Sequence, residues 1–267
     1  MAIKKYAPLT KFGDGICLAD VNDIMQFSVA EIESLLSKHL FIVFKNIENP
    51  IEQIAEWLSG FGELVENERR TKERILIMDG TQEGESIING QGRMPLHTDG
   101  LLMNEDVRLV AIYGAFFDVL EGGSTYFTNN EEAWRRTPLH IKSLIRNNGI
   151  ELMPCDQDYY LNNDEKWYWF KGVRLLEETH ELLCAGMNYD DNEQASYKVR
   201  IANIDQDTSN QYYNEMGQIY SSEDLTYYHR WDEKDLLLFD NMKTMHGREA
   251  FKGDRRILQL QVRRFPK

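Results

Sequence analysis

Residues 255–263 read Arg255-Arg256-Ile257-Leu258-Gln259-Leu260-Gln261-Val262-Arg263. Leu258, Leu260 and Val262 recur at every second position with Gln259 and Gln261 between them, and side chains two apart on a strand share a face. The segment therefore predicts a strand with one apolar and one polar face. Arg256 falls on the apolar face, so it is expected to point into the interior. An arginine buried without a partner is costly, and an anion is expected beside it. An Asp or Glu of the chain could be that anion. So could a dicarboxylate ligand, because the planar guanidinium fork matches a carboxylate.

Working outward, Leu236-Leu237-Leu238-Phe239 before Asp240-Asn241 reads as strand then turn, as does Ile75-Leu76-Ile77-Met78 before Asp79-Gly80. Val107 to Phe117 is a long apolar run closed by Gly122-Gly123, and Glu131 to Ile145 reads as helix broken at Pro138. Nearer the start, Val29, Ile32, Leu35, Leu36 and Leu40 stand at helical spacing, followed by a buried strand over Leu40 to Phe44. After Asn49-Pro50, Ile51, Ile54, Ala55 and Leu58 form a second helical face, ending at Phe61-Gly62. Helices followed by many short strands imply a mainly β fold, a sandwich or barrel with helices packed outside. Without repeats or a low-complexity linker, one domain over residues 1–267 is the simplest organisation. Within it, about 155–230 is rich in Tyr, Trp, Asn and Asp and is expected to form an insertion covering the barrel mouth.

A chain of 267 residues can bury a substantial core. Its net charge of −14 disfavours nucleic acid and anionic membrane surfaces as partners, both of which call for a basic face. Cys17, Cys155 and Cys184 are odd in number and widely spaced, which argues against a disulfide framework and a structural zinc site and points to the cytoplasm. The start, Met1 to Tyr6, has no apolar signal core behind it, and no apolar run approaches the roughly 18 residues that span a bilayer. The expected partner is a small molecule. Oligomeric state stays open, with a homo-oligomer as one option.

For chemistry, His97-Thr98-Asp99 offers a nitrogen and an oxygen at i and i+2, the same face if the segment is a strand. A non-haem Fe(II) site needs two histidines and one carboxylate on one side of the metal. With six His and 44 acidic residues, chance supplies about one such pair, so a surface His beside a turn Asp is an equal reading. Of the other histidines, His39 sits on a helical face, His140 and His180 in helix-like or polar stretches, and His229 between Tyr228 and Arg230. His246 differs, lying between the Leu236–Phe239 strand and the one opened by Arg255-Arg256. Thr125, after Gly122-Gly123-Ser124, could add a hydroxyl to the carboxylate expected at Arg256, or be only a strand-start residue.

Taken in order, His97-Thr98-Asp99, Gly122-Gly123-Ser124-Thr125, His246-Gly247-Arg248 and Arg255-Arg256 resemble the taurine-dioxygenase-like family of Fe(II)/2-oxoglutarate oxygenases. The resemblance spans nearly the whole chain, and Asp240-Asn241 before His246 with Phe251 after it looks like the betaine-hydroxylase branch. It implies a double-stranded β-helix (jelly roll, clavaminate-synthase-like). It also implies iron ligation by His97, Asp99 and His246, with O₂ and 2-oxoglutarate as cosubstrates. Arg256 would hold the distal carboxylate of 2-oxoglutarate with Thr125 assisting, and Arg255 would replace it if the register slips by one. Oxidation of a C–H bond, by hydroxylation or desaturation, would accompany conversion of 2-oxoglutarate to succinate and CO₂.

Departures narrow the substrate. Sulfonate-oxidising members carry a second arginine four residues after the 2-oxoglutarate arginine, and that position after Arg256 is Leu260, which disfavours taurine. Halogenating relatives replace the carboxylate with Gly or Ala, whereas Asp99 is present. A small acid or amino-acid-like substrate is expected, including isocyanide-bearing amino acids of natural-product pathways. Arg248, Tyr126 and Trp134 are candidate substrate residues, and each could instead be structural. A betaine-type hydroxylase is the alternative within the class, with a quaternary ammonium held by aromatics. A zinc hydrolase and a non-catalytic jelly-roll binding protein are the alternatives outside it.

Overall fold

The structure is a computed structural model that describes residues 7–19, 21–66, 73–80, 90–103, 105–155, 166–176, 180–190 and 194–263. The N-terminal stretch read for a signal core (Met1 to Tyr6) lies outside the described residues. In chain order the elements are β1 (Ile16–Leu18), α1 (Val29–His39), β2 (Phe41–Phe44), α2 (Ile51–Ser59), β3 (Glu63–Leu64), β4 (Ile75–Asp79), β5 (Met94–His97), β6 (Val107–Gly122) and β7 (Thr125–Asn129). There follow α3 (Asn130–Arg136), α4 (Leu139–Asn148), β8 (Ile150–Pro154), β9 (Tyr168–Phe170), β10 (Val173–Leu176), β11 (His180–Leu183) and β12 (Tyr197–Ile201). The chain closes with α5 (Gln206–Tyr220), β13 (Thr226–His229), β14 (Leu236–Asp240), β15 (Thr244–Arg248) and β16 (Phe251–Arg263).

The larger sheet runs β1-β2-β14-β6-β16-β3, with β4 also paired to β16, and the smaller runs β13-β7-β15-β5. Neighbours in each are distant in sequence, the interleaving expected of a double-stranded β-helix. The inner faces meet over Val43, Val110, Ile112, Leu237, Phe239 and Ile257 of the larger sheet and Phe127 of the smaller.

The outer face of the larger sheet is buried too, because the two N-terminal helices cover it. Helix α1 begins at a reciprocal cap, in which the Ser28 hydroxyl accepts from Glu31 N–H and the Glu31 carboxylate from Ser28 N–H. Its buried Ile32 and Leu36, with Ile54, Trp57 and Leu58 of α2, pack on Leu109, Ala111, Leu236, Leu238, Leu260 and Val262. Each such aliphatic side chain contributes about 1.5–3 kcal/mol on burial. Leu40 ends α1 at φ 65° and so stays outside β2.

The span from 155 to 230 is more than an insertion. Strand β13 completes the smaller sheet by pairing with β7, and β12 pairs with β8 in a separate three-stranded sheet. Tyr213, Met216 and Tyr220 of α5 join Trp134, Ile141 and Ile145 in a core behind the smaller sheet. Tyr159 and Tyr160, within the stretch expected to cover the barrel mouth, lie outside the described residues.

Candidate metal centre

Strand β15 lies between β5 and β7, and the register sets His246 directly opposite His97, with ring centroids 4.3 Å apart. Strand β5 stops at His97, so Asp99 sits in the following turn rather than at the next same-face position of a strand. Asn241, which is 1% exposed, holds that turn: its Oδ1 accepts from the Asp99 N–H at 2.9 Å, and its Nδ2 donates to the carbonyls of Asp99 (3.2 Å) and Val107 (2.9 Å). The turn brings Asp99 Oδ1 to 3.5 Å from His97 Nε2 and Oδ2 to 3.8 Å from His246 Nε2. One donor atom from each residue lies within 4.8 Å of the others, a spacing one cation can bridge with small side-chain adjustments.

The protonation states suit a cation. His97 Nδ1 lies 2.8 Å from the Pro95 carbonyl, which can only accept, so Nδ1 is the donor there and Nε2 is the nitrogen turned toward the cluster. Burial, reinforced by His97 and opposed by Asp99, pushes the His246 pKa down to about 3. That imidazole is therefore a neutral donor at physiological pH. Burial works against ionisation of Asp99, but the His246 and His97 rings and the Gln261 amide outweigh it and lower its pKa to about 2. Two histidines and one carboxylate are the donor set that non-haem Fe(II) takes.

The polar face of β16 forms one wall of the cavity around this cluster. Arg255, Ile257, Gln259 and Gln261 all line it, with Thr125, Arg248 and Tyr197. Gln259 and Gln261 donate to Asp99 Oδ2 at 2.8 and 2.9 Å. Arg255 is 2% exposed, gives one N–H to the Gly123 carbonyl at 2.9 Å and lies 4.4 Å from the centroid of the Phe251 ring. Burial, with repulsion from Arg248, pushes its pKa well down. Among the described residues no carboxylate lies within 4 Å of it. Thr125 Oγ1 accepts from the Trp231 indole N–H at 3.0 Å. Arg248 is also buried and gives its Nε and Nη2 to the Gly92 carbonyl.

Three sequence expectations are corrected. Arg256 does not enter the interior: its side chain is 48% exposed and pairs at 2.8 Å with Asp79 on the neighbouring β4. The alternation along β16 is as expected, but its apolar face meets the helices and its polar face meets the cavity, so the buried arginine is Arg255. Tyr126 turns its ring away from the cavity, donating its hydroxyl to the Met94 carbonyl at 2.8 Å and packing in the core behind the smaller sheet. Trp134, in α3, is 2% exposed in that same core and donates to Glu181. Neither lines the cavity.

Sequence reasoning missed Gln259, Gln261 and Asn241. Two glutamines alternating through an apolar strand were the available signal, since a merely solvated face would carry charge more often. The remaining histidines stand apart from the cluster. His140 and His180 have exposed side chains, His39 ends α1, and His229 is buried with Nε2 3.0 Å from Asp235.

Comparison with known proteins agrees with this fold. Residues 5–261 match the family described as "Taurine catabolism dioxygenase TauD, TfdA family". The chain therefore belongs to the TauD/TfdA dioxygenase family. It is 23% identical over 257 residues to 3-((Z)-2-isocyanoethenyl)-1H-indole synthase of Fischerella ambigua (strain UTEX 1903), covering 91% of this chain and 89% of that one. Among solved structures, PvcB from Pseudomonas aeruginosa superposes with a TM-score of 0.72 at 16% identity, covering 98% of this chain and 93% of that one. PvcB is described as an Fe, alpha-ketoglutarate dependent oxygenase from an isonitrile synthetic pathway. AAD-2, solved with Mn(II) and N-oxalylglycine, gives 0.73 at 16% identity, covering 98% and 97%. These likenesses establish the double-stranded β-helix.

Proposed function

We propose that this protein is an Fe(II)- and 2-oxoglutarate-dependent dioxygenase that oxidises a C–H bond of a small, acidic or amino-acid-like substrate. The observation that carries the reading is one cavity lined by both His97, Asp99 and His246 and the buried guanidinium of Arg255. His97, Asp99 and His246 would hold the iron, and Arg255 with the Thr125 hydroxyl would take the distal carboxylate of 2-oxoglutarate. Iron with 2-oxoglutarate and O₂ supplies an oxidant strong enough for unactivated C–H bonds, at the expense of decarboxylating 2-oxoglutarate to succinate. The chain's own part is to keep three donors on one side, leave the other positions open, and exclude water around the target carbon.

The substrate reading rests on the remaining cavity wall. Arg248 is a second buried guanidinium there, which favours an acid, while Leu76, Met78, Leu101, Leu102 and Leu152 suit an apolar body. Apart from the two ligand imidazoles, Tyr197 is the one aromatic among the described lining residues, short of the cage a quaternary ammonium needs. Position four after Arg255 is Gln259 rather than arginine, which speaks against a sulfonate. Similarity to the isocyanoethenyl-indole synthase and to PvcB supports an isocyanide-bearing amino-acid derivative. Three free thiols are compatible with a cytoplasmic setting, and among the described residues no helix is long and apolar enough to cross a membrane.

Anaerobic titration of apo-protein with Fe(II) and 2-oxoglutarate tests the reading. A weak visible charge-transfer band is expected in wild type and absent in His246→Ala, after which O₂ uptake screens isocyanide and amino-acid substrates. Folded wild type giving no band would overturn it, and hydrolysis with Zn(II) and without O₂ would put the zinc alternative in its place.

A further inference from the structure

Asp99 Oδ2 receives two side-chain amides, from Gln259 and Gln261, within one strand and one cavity wall. A carboxylate oxygen offers about two lone-pair directions, and both on Oδ2 are taken by these N–H donors. Oδ1 carries neither amide and lies 3.5 Å from His97 Nε2, while Oδ2 is the oxygen nearer His246, 3.8 Å from its Nε2. The Asp99 main chain is separately clasped on both sides by Asn241. The carboxylate is thus fixed at its backbone and at one oxygen, leaving Oδ1, the oxygen beside His97, without an amide donor.

Gln259 and Gln261 occupy consecutive cavity-facing positions of β16, two residues apart, so one rigid strand delivers both amides. That strand is anchored along its length by β6 on one side and by β4 and β3 on the other. Gln259 is 6% exposed. A buried amide without a partner costs about 1–3 kcal/mol, so the Gln259 amide has no reason to leave Asp99, while Gln261 is half-buried beside it.

We propose that Gln259 and Gln261 are paired positioning residues that hold Asp99 as a one-oxygen ligand. Resting on the iron-enzyme reading above, this assigns them a task beyond packing. By occupying Oδ2 they stop the carboxylate from chelating through both oxygens, which would take one of the positions that the cosubstrate and O₂ need. They also hold the carboxylate orientation before metal arrives, so binding requires little rearrangement.

The test uses Co(II) as probe, added anaerobically to the apo forms of wild type, Gln259→Met, Gln261→Met and the double variant, read by visible absorption. Circular dichroism establishes that each is folded. Removing outer partners of a metal ligand typically weakens binding about 10–100-fold, and that loss is expected in the double variant. Its d–d band is also expected to change in shape and intensity as the freed oxygen joins the metal. The single variants, which keep one donor each and guard against misfolding of the double, should show smaller changes in the same direction. Unaltered affinity and spectrum in the folded variants would overturn the proposal. So would a change confined to substrate KM, which would make the glutamines substrate-binding groups. Wild type failing to bind Co(II) sinks the parent reading instead, so the two failures are distinguishable.

Discussion

Asn241 and Asp99 are joined by a reciprocal pair of hydrogen bonds, the Asn241 side chain accepting from the Asp99 N–H and donating to the Asp99 carbonyl across 142 positions of sequence. Asn241 follows directly after β14, an interior strand of the larger sheet, so a carboxylate in a turn inherits the rigidity of that sheet. Replacement by Leu leaves the Asp99 N–H and the Val107 carbonyl buried and unpaired, at about 1–3 kcal/mol each. We expect Asn241→Leu to lower unfolding free energy by about 2–6 kcal/mol in urea denaturation. Mn(II) affinity should fall with it.

Arg255 and its neighbour Arg256 should separate cleanly in kinetics. Losing one side of a buried, hydrogen-bonded charge pair costs about 2–5 kcal/mol, so Arg255→Ala should raise the KM for 2-oxoglutarate by roughly two orders of magnitude or more. Arg255→Lys should recover only part of this, because a point charge replaces a two-pronged donor. Arg256→Ala loses a half-exposed ion pair with Asp79 and should keep the KM within about two-fold of wild type.

The buried neutral His246 predicts how the apo-protein responds to acid. Its folded pKa of about 3 lies below the ordinary 6.5, so between these values the unfolded chain binds a proton that the folded chain does not. Stability therefore falls as pH falls through that window, by about 2 kcal/mol between pH 7 and pH 5 from this group. Asp99, depressed to about 2, acts in the same direction at lower pH, its contribution being lost as pH drops below 3.8 toward 2. Urea midpoints for wild type and His246→Gln at pH 7 and pH 5 should show a smaller acid loss in the variant. An equal loss would mean that other groups set the slope.

Trp231 should act on the cosubstrate through Thr125. Its indole N–H occupies a lone pair of the Thr125 hydroxyl, which leaves the hydroxyl proton free to be donated to a carboxylate. Trp231→Phe keeps most of the ring that stacks on Phe117 but removes the donor. With a net worth of about 1 kcal/mol for one hydrogen bond, the KM for 2-oxoglutarate should rise about five-fold with kcat little changed. In a Thr125→Val background the same substitution should have almost no further effect, since the hydroxyl it orients is gone.

Much of the molecule is legible along the chain because local physics writes it there. Alternation in β16, the apolar runs of β2, β6 and β14 and the helical faces of α1 and α2 follow from side-chain periodicity. His97, Asp99 and His246 stand out by residue type and order, and the structure brings all three together. Tertiary structure alone decided which face of β16 is the inside. Alternation separates Arg255, Ile257, Gln259 and Gln261 from Arg256, Leu258, Leu260 and Val262, but both faces of this sheet are buried, one under helices and one over the cavity. Apolar pattern identifies a covered face and not what covers it. A reactive cavity needs polar side chains and helix packing needs apolar ones, so the polar face is the interior of the site. The turn that carries Asp99 was hidden for a similar reason: its geometry is set by Asn241, a residue distant in sequence that only the folded sheet brings near.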